Sequence, residues 1–320
     1  MYSVHFYGQM LADATRMEAY AAALRRVVTP DSVVMDLGCG PGVFALLACK
    51  LGARRVYAVE PENIVGLARE VAAANGLSDR IEFFEKLSTE IELPERATVI
   101  ISDLRGVLPW FEQHVPSIID ARERLLAPGG VLIPHRDVLW AAVVEVPERY
   151  EEIVGPWRNT YDLDLSAGTR LVTNTWRKSR IKPEQLLTSP INWTTLDYYK
   201  VSSRDIHAEV SWRAARSGTA YGLAVWFDSE LADGIQISNH PAAPEMIYGI
   251  GFFPFSQPVE MIEGERLAVR LDADFVNDGY VWRWDTEFFA ADTQRVKASF
   301  KQSTFFGVPL STTQLRKPAQ

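Results

Sequence analysis

The chain has 320 residues, 47% of them hydrophobic and 23% charged, with a formal net charge of −8. That length suits two domains, each burying a core of its own. The acidic balance speaks against wholesale binding to a nucleic-acid backbone, and no apolar run is long enough to cross a bilayer. The two cysteines, Cys39 and Cys49, have a spacing that fits neither a zinc site nor a redox pair, so neither a metal nor a disulfide framework is expected. With no basic leader ahead of an apolar stretch, the cytoplasm is the expected compartment.

The first predicted element is a helix with Met10, Ala14, Met17, Ala21 and Leu24 on one face, packed over the domain that follows. From about residue 30 to Pro134, short apolar runs alternate with helix-length segments: Val33 to Met35, Val56 to Val59, Ile81 to Phe84, Val99 to Ile101 and Val131 to Ile133. That alternation predicts a parallel sheet with helical crossovers, a doubly wound, Rossmann-like α/β domain over residues 1–134. Gly52 and Gly76 stand where the first two crossover helices would need left-handed caps. Eight of the nine tryptophans follow Pro134, together with period-two segments such as Leu267 to Leu271 and Tyr280 to Trp284. Residues 135–320 therefore read as a β-rich barrel or sandwich with tryptophans in its core.

The chemistry concentrates where the first strand meets its helix. Val33 to Leu37 runs into Gly38-Cys39-Gly40-Pro41-Gly42, and glycines there let backbone approach a ligand closely. A dinucleotide fingerprint would need a third glycine at position 43, which is Val43. Asp36 at the strand end also disfavours a pyrophosphate, whereas a sulfonium or amino group would be attracted to it. Glu60 ends the next strand at the distance where an acid accepts hydrogen bonds from both ribose hydroxyls, and Ser88 and Thr89 follow the third strand, where side chains would meet an adenine ring. Together these residues point to S-adenosylmethionine as cofactor and to a class I methyltransferase. Cys39 is expected to be a packed side chain, His114 an exposed residue at a helix start, and His240 part of a turn.

Beyond the glycine loop, the first 270 residues resemble the protein arginine methyltransferases. His5 to Arg16 is similar to the family's N-terminal helix, with Met10, Leu11, Asp13 and Arg16 in register. The resemblance gives Met10 and Arg16 to the cofactor, with Arg16 on its carboxylate. Ser102-Asp103-Leu104-Arg105-Gly106-Val107-Leu108-Pro109-Trp110-Phe111-Glu112 looks like the family's double-glutamate hairpin, its second acid nine residues after the first. By that resemblance Asp103 and Glu112 are the catalytic pair. Two carboxylates suit a guanidinium, which offers five donors in a planar fork and keeps its charge at neutral pH.

Three positions depart from the family's pattern. Asp103 stands for glutamate, Arg105 for methionine, and the Thr-His-Trp loop falls near Ile247-Tyr248-Gly249 without its histidine and tryptophan. Arg105 is expected to put a positive charge into the clamp. The tyrosine-rich entry is reduced to Tyr2, and the tail from about residue 290 has no counterpart. The resemblance implies methylation of an arginine or guanidine nitrogen in a protein, peptide or small molecule, and a homodimer joined by an arm near 150–168. The alternatives are a methyltransferase for another N or O nucleophile, or an inactive cofactor-binding scaffold.

Overall fold

The computed structural model describes residues 3–291 and 293–308; Tyr2 and the last part of the tail lie outside them. The single N-terminal helix expected from periodicity is two helices, α1 (Val4–Ala12) and α2 (Ala14–Val27). They part at Asp13, whose backbone leaves the helical region (φ −73°, ψ 89°) and whose carboxylate accepts the Arg16 amide at 3.0 Å. An aspartate at that position satisfies an amide that a helix start leaves open, which outweighs the apolar periodicity across it. Helix α1 buries no residue, and α2 buries Arg16, Tyr20, Ala23 and Leu24, so of the expected face only Leu24 is fully buried.

The Rossmann-like part follows the expected alternation. Strands β1 (Val33–Leu37), β2 (Arg55–Val59), β3 (Ile81–Phe84), β4 (Ala97–Ser102) and β5 (Leu126–Ile133) form a sheet of order β3-β2-β1-β4-β5, parallel at each pairing. Helices α3 (Val43–Lys50), α4 (Val65–Ala74) and α5 (His114–Asp120) connect them. Every residue of β1 is buried, as a central parallel strand covered on both faces requires. Gly52 and Gly76 take the positive φ expected of caps, 95° and 66°. The strand order reverses between β1 and β4, and in such sheets the ligand crevice opens beyond the carboxyl ends at that point.

The second part is a sandwich of two sheets, not a closed barrel. One contains β6 (Arg136–Val144), β9 (Arg177–Ser179), β10 (Ile191–Asp197), β12 (Gly218–Ala232), β13 (Ile235–Ser238) and β14 (Ile250–Met261). The other is β11 (Ile206–Arg213), β15 (Arg266–Val276), β16 (Gly279–Phe289) and β17 (Val296–Phe300). The described part of the tail is therefore structured, with β17 paired to β16. Trp226, Trp282 and Trp284 are fully buried as expected, and one hydrophobic core runs from the parallel sheet into the sandwich. After α6 (Pro147–Val154), β7 (Asn159–Thr160) and β8 (Leu163–Asp164) form a hairpin whose turn residues Tyr161 and Asp162 both have positive φ, 55° and 58°. A short helix, α7 (Thr169–Val172), precedes β9. No helix among the described residues is long and apolar enough to cross a membrane.

Candidate active site

At the carboxyl ends of β1, β2 and β4 lies a cavity of about 320 Å³. Its floor is the glycine loop. Gly38 and Gly40 have φ of +75° and +50°, a region that side-chain-bearing residues rarely enter. The amides of Gly38 and Cys39 donate to the Val59 carbonyl at 2.8 and 3.0 Å, which fixes the loop to the end of β2. Glu60 comes next, buried on the cavity wall. Its Oε2 accepts the Gly40 amide and its Oε1 the Glu62 amide, each at 3.0 Å. Burial pushes the carboxyl up while these amides pull it back. A carboxylate oxygen offers two lone pairs, so each has one left for a vicinal diol.

Asp36 does not reach this cavity. It is buried behind the loop, and its Oδ2 accepts the Ala45 amide at 2.9 Å. Gly42, which precedes helix α3, makes no side-chain cap bond, so Asp36 satisfies an amide of the first turn from the neighbouring strand. Burial pushes the Asp36 carboxyl up to about 7 against the pull of that amide. Ser88 and Thr89 also fall outside the cavity lining. They form a single turn after β3, the edge strand two places from the switch point, where the Ser88 carbonyl accepts Arg124 Nη2 at 2.7 Å.

Met10 and Arg16 do line the cavity, and the break at Asp13 is what turns them toward it. Arg16 donates through Nε and Nη2 to Asp103 Oδ2 at 2.7 and 2.6 Å, and through Nη1 to the Met10 carbonyl at 3.2 Å. Its Nη1 also donates to Met17 Sδ at 3.2 Å, so one of its five donors, on Nη2, remains for a ligand carboxylate. Asp103 is held further by Tyr20 Oη at 2.9 Å and by Tyr248 Oη, 2.8 Å from both of its oxygens. Asp103 is thus engaged by three side chains and has little capacity left to clamp a guanidinium. Tyr248 stands where the family's loop carries histidine, so that departure marked a site residue; nothing in the sequence singled out Tyr20.

Arg105 does not line the cavity, but its Nε lies 3.8 Å from Asp103 Oδ1, so its charge does reach the first acid of the hairpin. It is fully buried, donating through Nη1 to Asp137 Oδ1 at 2.6 Å and through Nη2 to Tyr20 Oη at 3.1 Å, with its guanidinium 5.0 Å from the Phe227 ring centre. His114 starts α5 but is buried, its Nε2 2.9 Å from Tyr198 Oη, and burial holds its pKa well below the ordinary value. His240 sits in a turn, its Nδ1 accepting the Ala242 amide at 3.0 Å. Cys39 is buried and unpaired, with burial pushing the thiol up. Trp176, expected in the core, lines the cavity and stacks on Phe253.

Glu112 completes the wall. It is exposed to the cavity, makes no hydrogen bond or ion pair among the described residues, and has a φ of +43°. The trio that could hold a metal ion, His135, Glu230 and Asp233, lies outside this cavity, and Arg136 already binds Glu230 at 2.7 Å.

A parallel sheet opening at its switch point onto a glycine loop, a strand-end acid and an acidic hairpin, followed by an antiparallel sandwich, defines a class I methyltransferase architecture. Comparison with known proteins agrees. Residues 15–135 match the family described as ribosomal protein L11 methyltransferase, and residues 135–278 match the arginine methyltransferase oligomerization subdomain. The chain is 32% identical over 240 residues, 72% of its length, to the probable protein arginine N-methyltransferase 6 of Arabidopsis thaliana, but spans only 55% of that relative. It is 25% identical to protein arginine N-methyltransferase 1 of Dictyostelium discoideum, covering 84% of this chain and 82% of the relative. Among solved structures, the Trypanosoma brucei PRMT1 enzyme-prozyme heterotetrameric complex with AdoHcy superposes with a TM-score of 0.84 at 23% identity, covering 95% of this chain and 98% of that one. Arabidopsis thaliana protein arginine methyltransferase 10 gives 0.81 at 23%, covering 94% and 97%. Over most of its length the chain is thus similar to the protein arginine methyltransferases, a branch of the class I methyltransferases.

Proposed function

We propose that the chain transfers a methyl group from S-adenosylmethionine to a guanidine-type nitrogen of an arginine-containing protein, peptide or small molecule. The observation that carries this reading is the convergence in one cavity of the glycine loop, Glu60, the Arg16–Asp103 pair and Glu112. The donor set fits the cofactor: Glu60 has two acceptor sites for ribose hydroxyls, and Arg16 has its charge and one open donor for a carboxylate. The cofactor supplies an electrophilic methyl group on a sulfonium centre. Asp103 orients Arg16, while Glu112 accepts guanidinium N–H groups, holding the acceptor nitrogen in line and steadying its charge. Met10 packs against the cofactor side of the same wall.

Glu112→Gln tests the assignment. Its side chain keeps the volume and one acceptor oxygen but loses the charge, so cofactor affinity should hold while single-turnover methyl transfer falls by about a hundredfold to a thousandfold. Near-native turnover would remove Glu112 from the mechanism. Because Asp103 is already engaged by three donors, the acceptor meets one free carboxylate; this supports, as second reading, a different nitrogen nucleophile held by that single acid in place of a doubly clamped guanidinium.

The match of residues 135–278 to an oligomerization subdomain also supports a homodimer. Its arm would be the 159–164 hairpin, where Tyr161 and Leu163 are 92% and 60% exposed. Light scattering behind size exclusion should give twice the chain mass, and Tyr161→Glu/Leu163→Glu should return it to one. Two free, buried cysteines are in keeping with a reducing compartment such as the cytoplasm.

A further inference from the structure

Besides Arg16 and Glu60, two charged side chains on the cavity wall have open hydrogen-bonding capacity. Glu112 is one, its backbone held in the left-handed region that glutamate rarely adopts, a conformation that persists only where the surroundings impose it. The other is Lys178, the central residue of β9. Its stem is seated against bare backbone: a Cβ on Gly249 would stand 2.9 Å from both Cγ and Cε of Lys178. Its Nζ donates to the Ile247 carbonyl, beside Tyr248 on the same wall, and two of its three donors remain. Lys178 also lines the adjoining open cleft, so it stands where the cavity meets solvent.

The acids near Lys178 are committed elsewhere. Glu245 binds Arg180 at 2.5 Å, and the two oxygens of Asp13 accept the amides of Arg16 and Ile247. No ion pair to Lys178 forms among the described residues. Deeper in the cavity, Arg16 and Asp103 neutralise each other. The acceptor side therefore presents one free negative group and one free positive group. Partial burial lowers the Lys178 pKa, so an incoming anion would replace solvent that the ammonium already partly lacks.

We propose that Lys178 is the specificity-determining residue of the acceptor subsite: it takes an acidic group carried by the same substrate whose guanidinium is held by Glu112. Preferred acceptors are guanidines with an acidic group nearby, either small guanidino acids or arginine peptides with an acidic flank. Acceptors with a second positive charge are repelled by the ammonium. This inference rests on the methyl-transfer reading for its use of Glu112, so its test is a binding measurement separate from turnover.

The probes are 4-guanidinobutyrate and its primary amide, titrated calorimetrically into the full chain with and without S-adenosylhomocysteine. The acid should bind roughly tenfold tighter than the amide. Lys178→Met should abolish that preference, Lys178→Arg retain it, and Lys178→Glu reverse it, while Glu112→Gln weakens both probes. Equal binding of acid and amide, absence of binding by either at millimolar concentration, or a preference that survives in Lys178→Met would each overturn the proposal. An acid preference without binding of S-adenosylhomocysteine would instead sink the methyl-transfer reading and leave Lys178 standing. Arginine peptides flanked by glutamate or by lysine then separate a peptide source of the acid from a free one.

Discussion

Replacing Arg105 with methionine, the residue the family has there, should cost stability and leave acceptor choice unchanged. The guanidinium is fully buried and makes a 2.6 Å bond to Asp137, which is itself fully buried. Removing it leaves that carboxylate, among the described residues, with only the Tyr198 hydroxyl, 2.5 Å away. It also removes the donor to Tyr20 and the contact with Phe227. Breaking one side of a buried ion pair typically costs about 3–5 kcal/mol, because the remaining charge is stranded without water. Methionine recovers part of the apolar packing but supplies no donor. For a chain of this size, such a loss lowers the melting temperature by on the order of 10 °C. Urea unfolding followed by circular dichroism gives the free energy directly. Arg105→Met/Asp137→Leu should recover more than half of the loss, since an apolar replacement of the whole pair is often close to neutral. A single variant within about 1 kcal/mol of the parent, or a double variant no better than the single, would refute this account of Arg105.

Glu60→Ala should weaken binding of S-adenosylmethionine by about 1.5–3 kcal/mol in calorimetry, the scale of hydrogen bonds to a charged group, with unchanged affinity placing the ribose elsewhere. Asp36 holds its proton to about pH 7 when folded but releases it near the ordinary carboxylate value when unfolded. The folded state thus binds more protons between about pH 4 and 7, and stability should fall by roughly 4 kcal/mol as pH rises through that window. Asp36→Asn removes this slope while still accepting the Ala45 amide; parallel stability curves for variant and parent would show that Asp36 does not titrate this way. Tyr248→Phe deletes one of three partners of Asp103 and should cost about 1–2 kcal/mol in cofactor affinity through a looser Arg16, whereas an effect on acceptor KM alone would place Tyr248 on the substrate instead.

The sequence was most legible where one local signal set the outcome. The parallel sheet follows from apolar runs at crossover spacing, and the glycine loop from residues that alone tolerate its dihedrals. At the N-terminus apolar periodicity runs straight through Asp13 and predicts one helix, while the competing cap depends on a side-chain bond that periodicity does not register. Asp36 and Glu60 look alike in sequence, each an acid at a strand end. Only the three-dimensional path of the loop turns one inward to cap α3 and leaves the other on the cavity wall. His114 was placed on the surface because a helix start is usually solvated, and its partner Tyr198 is 84 residues away. Lys178 carried no signal, since it sits on a short strand whose cavity-facing position depends on pairing with β14.

The three departures from the family's hairpin and loop meet in one hydrogen-bonded network. Asp103 receives Arg16, Tyr20 and Tyr248; Tyr20 also receives Arg105; and Arg105 is balanced by Asp137. Two arginines face two aspartates, so the buried network carries no net charge despite the added cation at position 105. Without Asp137 the buried Arg105 would keep only its 3.8 Å approach to Asp103 as charge compensation, and an arginine directed at Glu112 would neutralise that carboxylate. The shorter Asp103, the added Arg105 and Tyr248 in place of a histidine are therefore coupled changes. Tyr248 and Tyr20 engage the aspartate, while Asp137 takes the new charge away from the cavity. The result leaves Glu112 as an uncompensated carboxylate on the cavity wall, and on the reading proposed above it makes the ammonium of Lys178, rather than Arg105, the cation that an incoming substrate meets.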